Sequence, residues 1–232
     1  MREIVLVNSK PFRDIKTLVV NEISYFPLYN ALIEAHINPS NPRYDTQALI
    51  FTSKHAIKAL AKEIESRPQM QDFYKIPSFV IGAGSAQSLQ KYHFNLEYVS
   101  PDSHGENFAN ELIEKLSGKN ALYIRAKKIV SRLDERLNEA KVSLKQVIAY
   151  ENKTKTLPQE LKPAPRSIVI FTAPSNYYSF IQNFGWDGSY VAIAIGMTTF
   201  GVLAKEITRY VAPKQSIESC IDFAKEIANI YP

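Results

Sequence analysis

Short runs of consecutive apolar residues recur along the chain in a fixed order, separated by stretches that are apolar on one helical face only. Ala48-Leu49-Ile50-Phe51-Thr52 returns as Ile168-Val169-Ile170-Phe171-Thr172, and Phe79-Val80-Ile81-Gly82 is answered by Ala192-Ile193-Ala194-Ile195-Gly196. Tyr98-Val99-Ser100-Pro101 is echoed by Tyr210-Val211-Ala212-Pro213, and both copies close on a helical stretch, at 108–113 and 223–227. One match would mean little, whereas three in the same order at similar spacing mark an internal repeat. After Thr52 the apolar positions Ile57, Leu60, Ala61 and Ile64 fall at i, i+3, i+4 and i+7, and Tyr177, Phe180, Ile181 and Phe184 repeat that stripe after Thr172. Each copy thus predicts strand, helix, strand, helix, strand, helix. Wholly apolar strands alternating with amphipathic helices predict an α/β fold, its parallel sheets flanked by helices and joined by right-handed crossovers.

The copies differ in their flanks. The first continues into a strand at 121–125, a charged helix near 128–140 and a strand near 144–150. The second has no such continuation, but the N-terminal segment offers a strand at 4–7, a polar stretch at 8–13 and a strand near 23–28. The expected organisation is therefore two Rossmann-like lobes. Residues 1–30 with 157–232 form a discontinuous lobe, 36–148 form the other, and 31–35 and 149–156 act as connector strands. Pro158, Pro163 and Pro165 mark the return as a linker.

Composition narrows the class. The 232 residues are 45% apolar and 22% charged, which fits a folded rather than a disordered chain. No run of about 18 apolar residues predicts a membrane span, and the apolar start turns polar at Asn8, too soon for a secretory signal. A lone Cys220 excludes an internal disulfide framework and fits a reducing compartment, so a cytoplasmic location is expected. The formal net charge of +5 is modest. Its densest cluster, Arg125, Lys127, Lys128, Arg132 and Arg136, has Asp134 and Glu135 interleaved and no nucleic-acid-binding module around it. A solvated helix face is the ordinary reading of such a run, and an anionic small molecule the functional one.

In open parallel sheets, ligands bind beyond the carboxyl ends of the strands, where the next helices begin. Those ends read Thr52-Ser53-Lys54-His55, Gly82-Ala83-Gly84-Ser85, Arg125-Ala126-Lys127-Lys128, Thr172-Ala173-Pro174-Ser175 and Gly196-Met197-Thr198-Thr199. Helix N-termini there offer backbone N–H groups and a positive dipole end to anions. Any single Ser or Thr in these turns is an ordinary helix cap before it is a ligand contact; the inference rests on their symmetric placement at the mouth of a cleft between lobes.

Sharper motifs fail. Gly82-Ala83-Gly84-Ser85-Ala86-Gln87 has Gln where a dinucleotide fingerprint needs Gly, and no phosphate-binding G-x-x-x-x-G-K-[ST] occurs. His36, His55, His93 and His104 lack metal-ligand spacing, and no G-x-S-x-G elbow anchors a triad. His55 reads as a surface helix residue and Cys220 as a small packing residue. No metal or organic cofactor is implied. Tyr150 stands out by position, since it ends the strand near 144–150 and carries a hydroxyl able to protonate a leaving group. Tyrosines at strand ends also simply pack, and the chain has 13.

Together these motifs resemble the uroporphyrinogen-III synthase family. The residues that carry the resemblance are 49–57, 80–82, 122–125 and 147–150 in the first copy, and 170–175, 194–199 and 210–213 in the second. The resemblance covers nearly the whole chain and is vaguest over 8–45. It implies two lobes on a two-stranded connector with substrate held between them. The implied hydro-lyase reaction takes hydroxymethylbilane, removes water, inverts ring D and closes the macrocycle to uroporphyrinogen III, without a cofactor. Tyr150 matches the family's tyrosine, a candidate acid for departure of the hydroxyl. Thr52 with Ser53 and Thr198 with Thr199 match its hydroxyl pairs, and Arg125 its third-strand arginine. Gly82, Gly84, Ser85, Thr172, Ser175 and Gly196 complete the candidate substrate-binding set from the strand ends.

Ala173 departs from the family's usual Ser, Ala126 from Gly and Met197 from Pro, which touches individual contacts more than the fold. The expected partners are hydroxymethylbilane and, transiently, hydroxymethylbilane synthase, with no nucleic acid or membrane and a monomeric chain. Two other readings share the architecture: a two-lobed binding or sensor module for an anionic small molecule, and a nucleotide-sugar transferase.

Overall fold

The computed structural model describes residues 2–36, 45–101, 105–129 and 131–230. Through them run β1 (Ile4–Val7), β2 (Thr17–Leu18), β3 (Asn21–Tyr25), α1 (Tyr29–His36), β4 (Ala48–Phe51), α2 (Lys54–Glu65), β5 (Ser78–Ile81), α3 (Ala83–Lys91) and β6 (Leu96–Ser100). There follow α4 (Gly105–Lys115), β7 (Asn120–Ala126), α5 (Leu133–Glu139), β8 (Ser143–Thr154), β9 (Ile168–Phe171) and α6 (Pro174–Phe184). The chain ends with β10 (Val191–Ala194), α7 (Met197–Phe200), β11 (Arg209–Val211) and α8 (Ile217–Ile230). It divides into two units, residues 23–152 and residues 1–22 with 153–232.

Alternation along each strand feeds two apolar layers in each unit. In the 23–152 unit, Leu49, Phe51, Leu122, Ile124 and Val80 pack with α2, while Ala48, Ile50, Ala121, Tyr123 and Phe79 pack with α4 and α5. In the other, Val5, Val7, Val169 and Phe171 join α6, whereas Leu6, Ile168 and Ile170 join α8. Strands covered on both faces need no polar side, which is why β4 and β9 are apolar throughout and buried at every position.

One sheet has the order β3-β8-β7-β4-β5-β6 and the other β11-β10-β9-β1-β2. From β8 to β6, and throughout the second sheet, every pair is parallel. Strand β1 stands beside β9 as β7 stands beside β4, so the N-terminal segment supplies what the second repeat lacks. Beside β8, the Phe26 N–H donates to the Ala149 carbonyl and the Lys155 N–H to the Val20 carbonyl. Rising numbers on one strand thus meet falling numbers on the other, and β3 runs antiparallel to β8.

The structure corrects the expected connectors. Residues 31–35 are not a strand; they lie inside α1, whose Leu32 and Ala35 are buried and follow Leu28, just before the helix, at i+4 and i+7. The units change over at 22/23 and 152/153 rather than at 30 and 157, within β3 and β8. Strand β8 runs to Thr154, so Tyr150 lies inside a strand instead of ending one. The charged helix expected near 128–140 is confined to 133–139.

Phe171 is fully buried at the end of β9, with Tyr177 edge-on at 5.3 Å and Phe180 at 5.5 Å between ring centres. Phe171→Ala is expected to lower unfolding stability by about 3–5 kcal/mol, the cost of lost contacts plus a cavity; urea titration measures it, and a loss below about 1 kcal/mol would contradict this packing.

Candidate active site

Because β4, β5 and β7 are parallel neighbours, their carboxyl ends share one edge of their sheet. Thr52 and Ser53 follow β4. The Thr52 hydroxyl lies 2.9 Å from the hydroxyl of Tyr123, a wholly buried residue of β7. Burial pushes the Tyr123 phenol up to about 12, against the opposing pull of the Thr52 hydrogen bond and the Arg125 charge. Ser53 caps α2, its Oγ accepting the His55 N–H at 3.2 Å.

Tyr150 reaches the same edge through an irregularity in β8. Arg125 of β7 faces Ile148, and Ala126 faces Tyr150, so Ala149 is an extra residue on β8, a β-bulge. In a regular pleat Ala149 and Tyr150 would point to opposite faces. Here both are buried in the α2-side core, and Ile148 is the exposed one at 41%. Burial raises the Tyr150 phenol above its ordinary pKa, and a hydrogen bond with the Ser53 hydroxyl pulls against that rise. Raised in this way, the Tyr150 phenol keeps its proton near neutral pH.

Two further rings flank Tyr150. His55 stands 5.5 Å away between ring centres at 48°, and Tyr25 of β3 stands 6.5 Å away at 50°. The Tyr25 hydroxyl is 3.3 Å from His55 Nδ1. Burial, then Lys54 and Lys58, lower the His55 pKa, while burial, then Tyr92 and Tyr150, raise that of Tyr25. Both groups are thus neutral near pH 7.

The other candidates of this unit are placed differently. Arg125 Nε donates to Gln146 Oε1 at 2.6 Å and Nη1 to the carbonyls of Ala126 and Lys127, bracing the turn after β7. Lys127 in that turn pairs with Glu151 at 3.0 Å. Gly82, at the start of α3, has φ +76°, which a residue with a Cβ rarely adopts, and α3 has no side-chain cap. Gly84 is exposed with open space at its α-carbon, whereas Ser85 is buried. A pocket of about 200 Å³ lined by Tyr25, Phe26, Ala59, Lys62 and Glu63 includes none of the anticipated residues.

The unit formed by residues 1–22 and 153–232 repeats the topology with different chemistry at the edge. Thr172 follows β9, its hydroxyl 2.9 Å from Asn8 Oδ1 and accepting Asn176 Nδ2 at 2.8 Å. Asn21 Nδ2 donates to Asn176 Oδ1 at 2.7 Å, and Ser179 donates to Asn21 Oδ1 at 2.5 Å. Ser179 gives its proton to Asn21, so Thr154, 2.9 Å away, is the donor to Ser179. Thr172 therefore ends an internal polar chain tying α6 to the roots of β3 and β8. Ala173 and Gly196 precede α6 and α7 without side-chain caps, leaving first-turn amides to other acceptors. Ser175 is partly exposed and Thr198 exposed, but Thr199 is buried.

Thr52, Ser53 and Tyr150 thus gather at one edge, together with Tyr25, His55 and Tyr123, which the sequence reading did not select. His55 is half-buried against Tyr150 rather than a surface residue. Among the described residues no three His, Cys, Asp or Glu side chains are placed to hold a metal ion, and no helix is long and apolar enough to cross a membrane. His104 lies outside the described residues.

The chain matches the family model of uroporphyrinogen-III synthase HemD over residues 20–222. It is similar to the crystal structure of uroporphyrinogen-III synthetase from Helicobacter pylori 26695, with 36% identity and a TM-score of 0.78 over 98% of this chain and 100% of that one. A mutant uroporphyrinogen III synthase from the extremely thermophilic bacterium Thermus thermophilus, at 14% identity and TM-score 0.65, covers 98% of this chain and 99% of its own, and shares the fold. No curated protein matches the chain.

Thr52→Val leaves the buried Tyr123 hydroxyl without its partner and is expected to cost about 1–3 kcal/mol in stability, whereas Thr52→Ser keeps the bond and most of the stability. Equal denaturation midpoints for the two variants would show that the bond contributes nothing.

Proposed function

The chain belongs to the uroporphyrinogen-III synthase family, and on that premise we propose that Tyr150 is the acid that assists departure of the substrate hydroxyl. The reaction is the dehydrative cyclisation of hydroxymethylbilane to uroporphyrinogen III with inversion of ring D. Family membership sets aside the binding-module and nucleotide-sugar transferase readings. The observation that carries the proposal is the bulge at Ala149, which brings a buried, protonated tyrosine to the sheet edge against the Ser53 hydroxyl.

The chemistry asks little covalent work of the protein. The Tyr150 O–H passes its proton to the hydroxyl as the C–O bond breaks, so water leaves and the carbon becomes a cation. Ring D bonds to that carbon through its substituted α-carbon, and its bond to the bridging methylene breaks. The methylene bonds instead to the ring's free α-carbon, whose lost proton restores the acid and balances the loss of one water. Bond-making is otherwise directed by geometry, since the unaided bilane closes to the uninverted isomer; holding it folded around the cation is the larger task. For the eight substrate carboxylates, Thr52, Ser53, Gly82, Gly84, Ser85, Arg125, Thr172, Ser175, Gly196, Thr198 and Thr199 are the proposed binding positions. The uncapped starts of α3, α6 and α7 support backbone rather than side-chain contacts at several of them. Buried Thr199 and Ser85 suit shaping of their turns, and Thr172 suits fixing its helix start.

We take the working form to be a monomer that meets hydroxymethylbilane synthase transiently, in the cytoplasm; the single, buried Cys220 supports the reducing compartment. Light scattering that gave the mass of two chains would overturn the monomer.

Tyr150→Phe is expected to lower kcat about 100-fold without abolishing turnover, the scale of one positioned proton donor. The measurement supplies freshly generated hydroxymethylbilane and separates the oxidised uroporphyrin isomers by chromatography. Isomer III formed at the native rate by the variant would remove Tyr150 from the mechanism.

A further inference from the structure

Three aromatic side chains from three elements converge at the bulge: Tyr25 from β3, His55 from the first turn of α2 and Tyr150 from β8. The Tyr150 ring is flanked by the other two, at 5.5 Å from His55 and 6.5 Å from Tyr25 between ring centres. A ring in van der Waals contact alone can pivot about its Cα–Cβ bond, which moves the hydroxyl by far more than the ring centre. What prevents this is a neighbour that cannot itself move.

His55 meets that requirement from two directions. Its backbone N–H is bound to Ser53 Oγ at 3.2 Å, and its Nδ1 lies 3.3 Å from the Tyr25 hydroxyl. A phenol is a better donor than acceptor, and a neutral imidazole has one unprotonated nitrogen. Tyr25 therefore donates to Nδ1, and the remaining imidazole proton sits on Nε2. Tyr25 is held in turn by the pairing of β3 with β8, the strand that carries Tyr150, through the Phe26 N–H to Ala149 carbonyl bond at 3.0 Å. The loop closes on itself: β8 fixes β3, β3 fixes Tyr25, Tyr25 fixes His55, and His55 fixes the ring that β8 presents.

We infer that His55 is a positioning residue of this enzyme, which through its hydrogen bond to Tyr25 holds the Tyr150 ring in the orientation that delivers its hydroxyl to substrate. This rests on the reading of Tyr150 as the acid. Neither His55 nor Tyr25 exchanges a proton with substrate in this role, and both act through Tyr150.

Steady-state kinetics of His55→Ala, His55→Asn, Tyr25→Phe and Tyr150→Phe, alone and with His55→Ala combined with Tyr150→Phe, test it. His55→Ala is expected to lower kcat about tenfold with KM changed less than about twofold, the pattern of lost orientation rather than lost binding. His55→Asn, whose Oδ1 can accept the Tyr25 proton where Nδ1 did, is expected to restore most of kcat. Tyr25→Phe keeps the ring and removes only the hydrogen bond, so it carries the test if His55→Ala does not fold; a fall in kcat of about threefold is expected. In the Tyr150→Phe background, His55→Ala is expected to have no further effect, since a positioning residue has nothing left to position. Multiplying effects, or a rise in KM as the main change, would overturn the inference and leave Tyr150 as the acid. Native turnover by Tyr150→Phe would instead overturn the acid assignment and this inference with it.

Discussion

A β-strand can present consecutive residues to the same side only where its pleat is broken, and the site in the 23–152 unit depends on one such break. Ala149 is the additional residue in β8, and its insertion turns Tyr150 back toward the face that carries α2. Without it, the phenol would fall on the face opposite Ser53 and His55. The break sits where β7 ends and β8 continues alone beside β3, so the sheet yields at the point where it has fewest partners to lose. Arg125 and the Lys127–Glu151 pair brace the turn beside it. Their value lies in holding the backbone, because exposed ion pairs contribute little energy by themselves.

The two copies of the repeat use equivalent positions for different purposes. Thr52 and Thr172 both follow a fully buried central strand. One bonds a buried tyrosine beside Tyr150, and the other ends a chain of amides and hydroxyls running through Asn176, Asn21 and Ser179 to Thr154. Each bond of that chain is directional, with every proton assigned by its neighbour, so its parts are not exchangeable for apolar residues one at a time. One copy of the repeat thus carries ionisable side chains at its strand ends, and the other an internal polar chain.

The sheets, their helices and the discontinuous unit were legible in the sequence because burial on both faces writes itself as uninterrupted apolar runs. The connector was not. Leu28, Leu32 and Ala35 carry a helical spacing, but three positions are a faint signal in a segment without a repeat partner. At the site, Thr52 and Ser53 could be chosen by their place after a strand, whereas Tyr150 stands out in the sequence as ending a strand that in fact runs on to Thr154. His55, Tyr25 and Tyr123 could not be chosen, since their roles arise from contacts between elements far apart in the chain. The bulge itself left no mark: Val147-Ile148-Ala149-Tyr150 reads as an ordinary strand, and only pairing with β7 shows which residue is extra.

The interleaving of the two units also sets an order of assembly during synthesis. Residues 23–152 are continuous and can complete their sheet as soon as they have left the ribosome. Strand β1 cannot follow that rule, because its partner β9 begins at Ile168 and the polar chain that seats Asn21 needs Asn176 and Ser179. Translation of the intervening segment takes on the order of ten seconds at ordinary rates. For that interval the newly made apolar run Ile4–Val7 has only the two-residue β2 to pair with, and its β9 edge stays open.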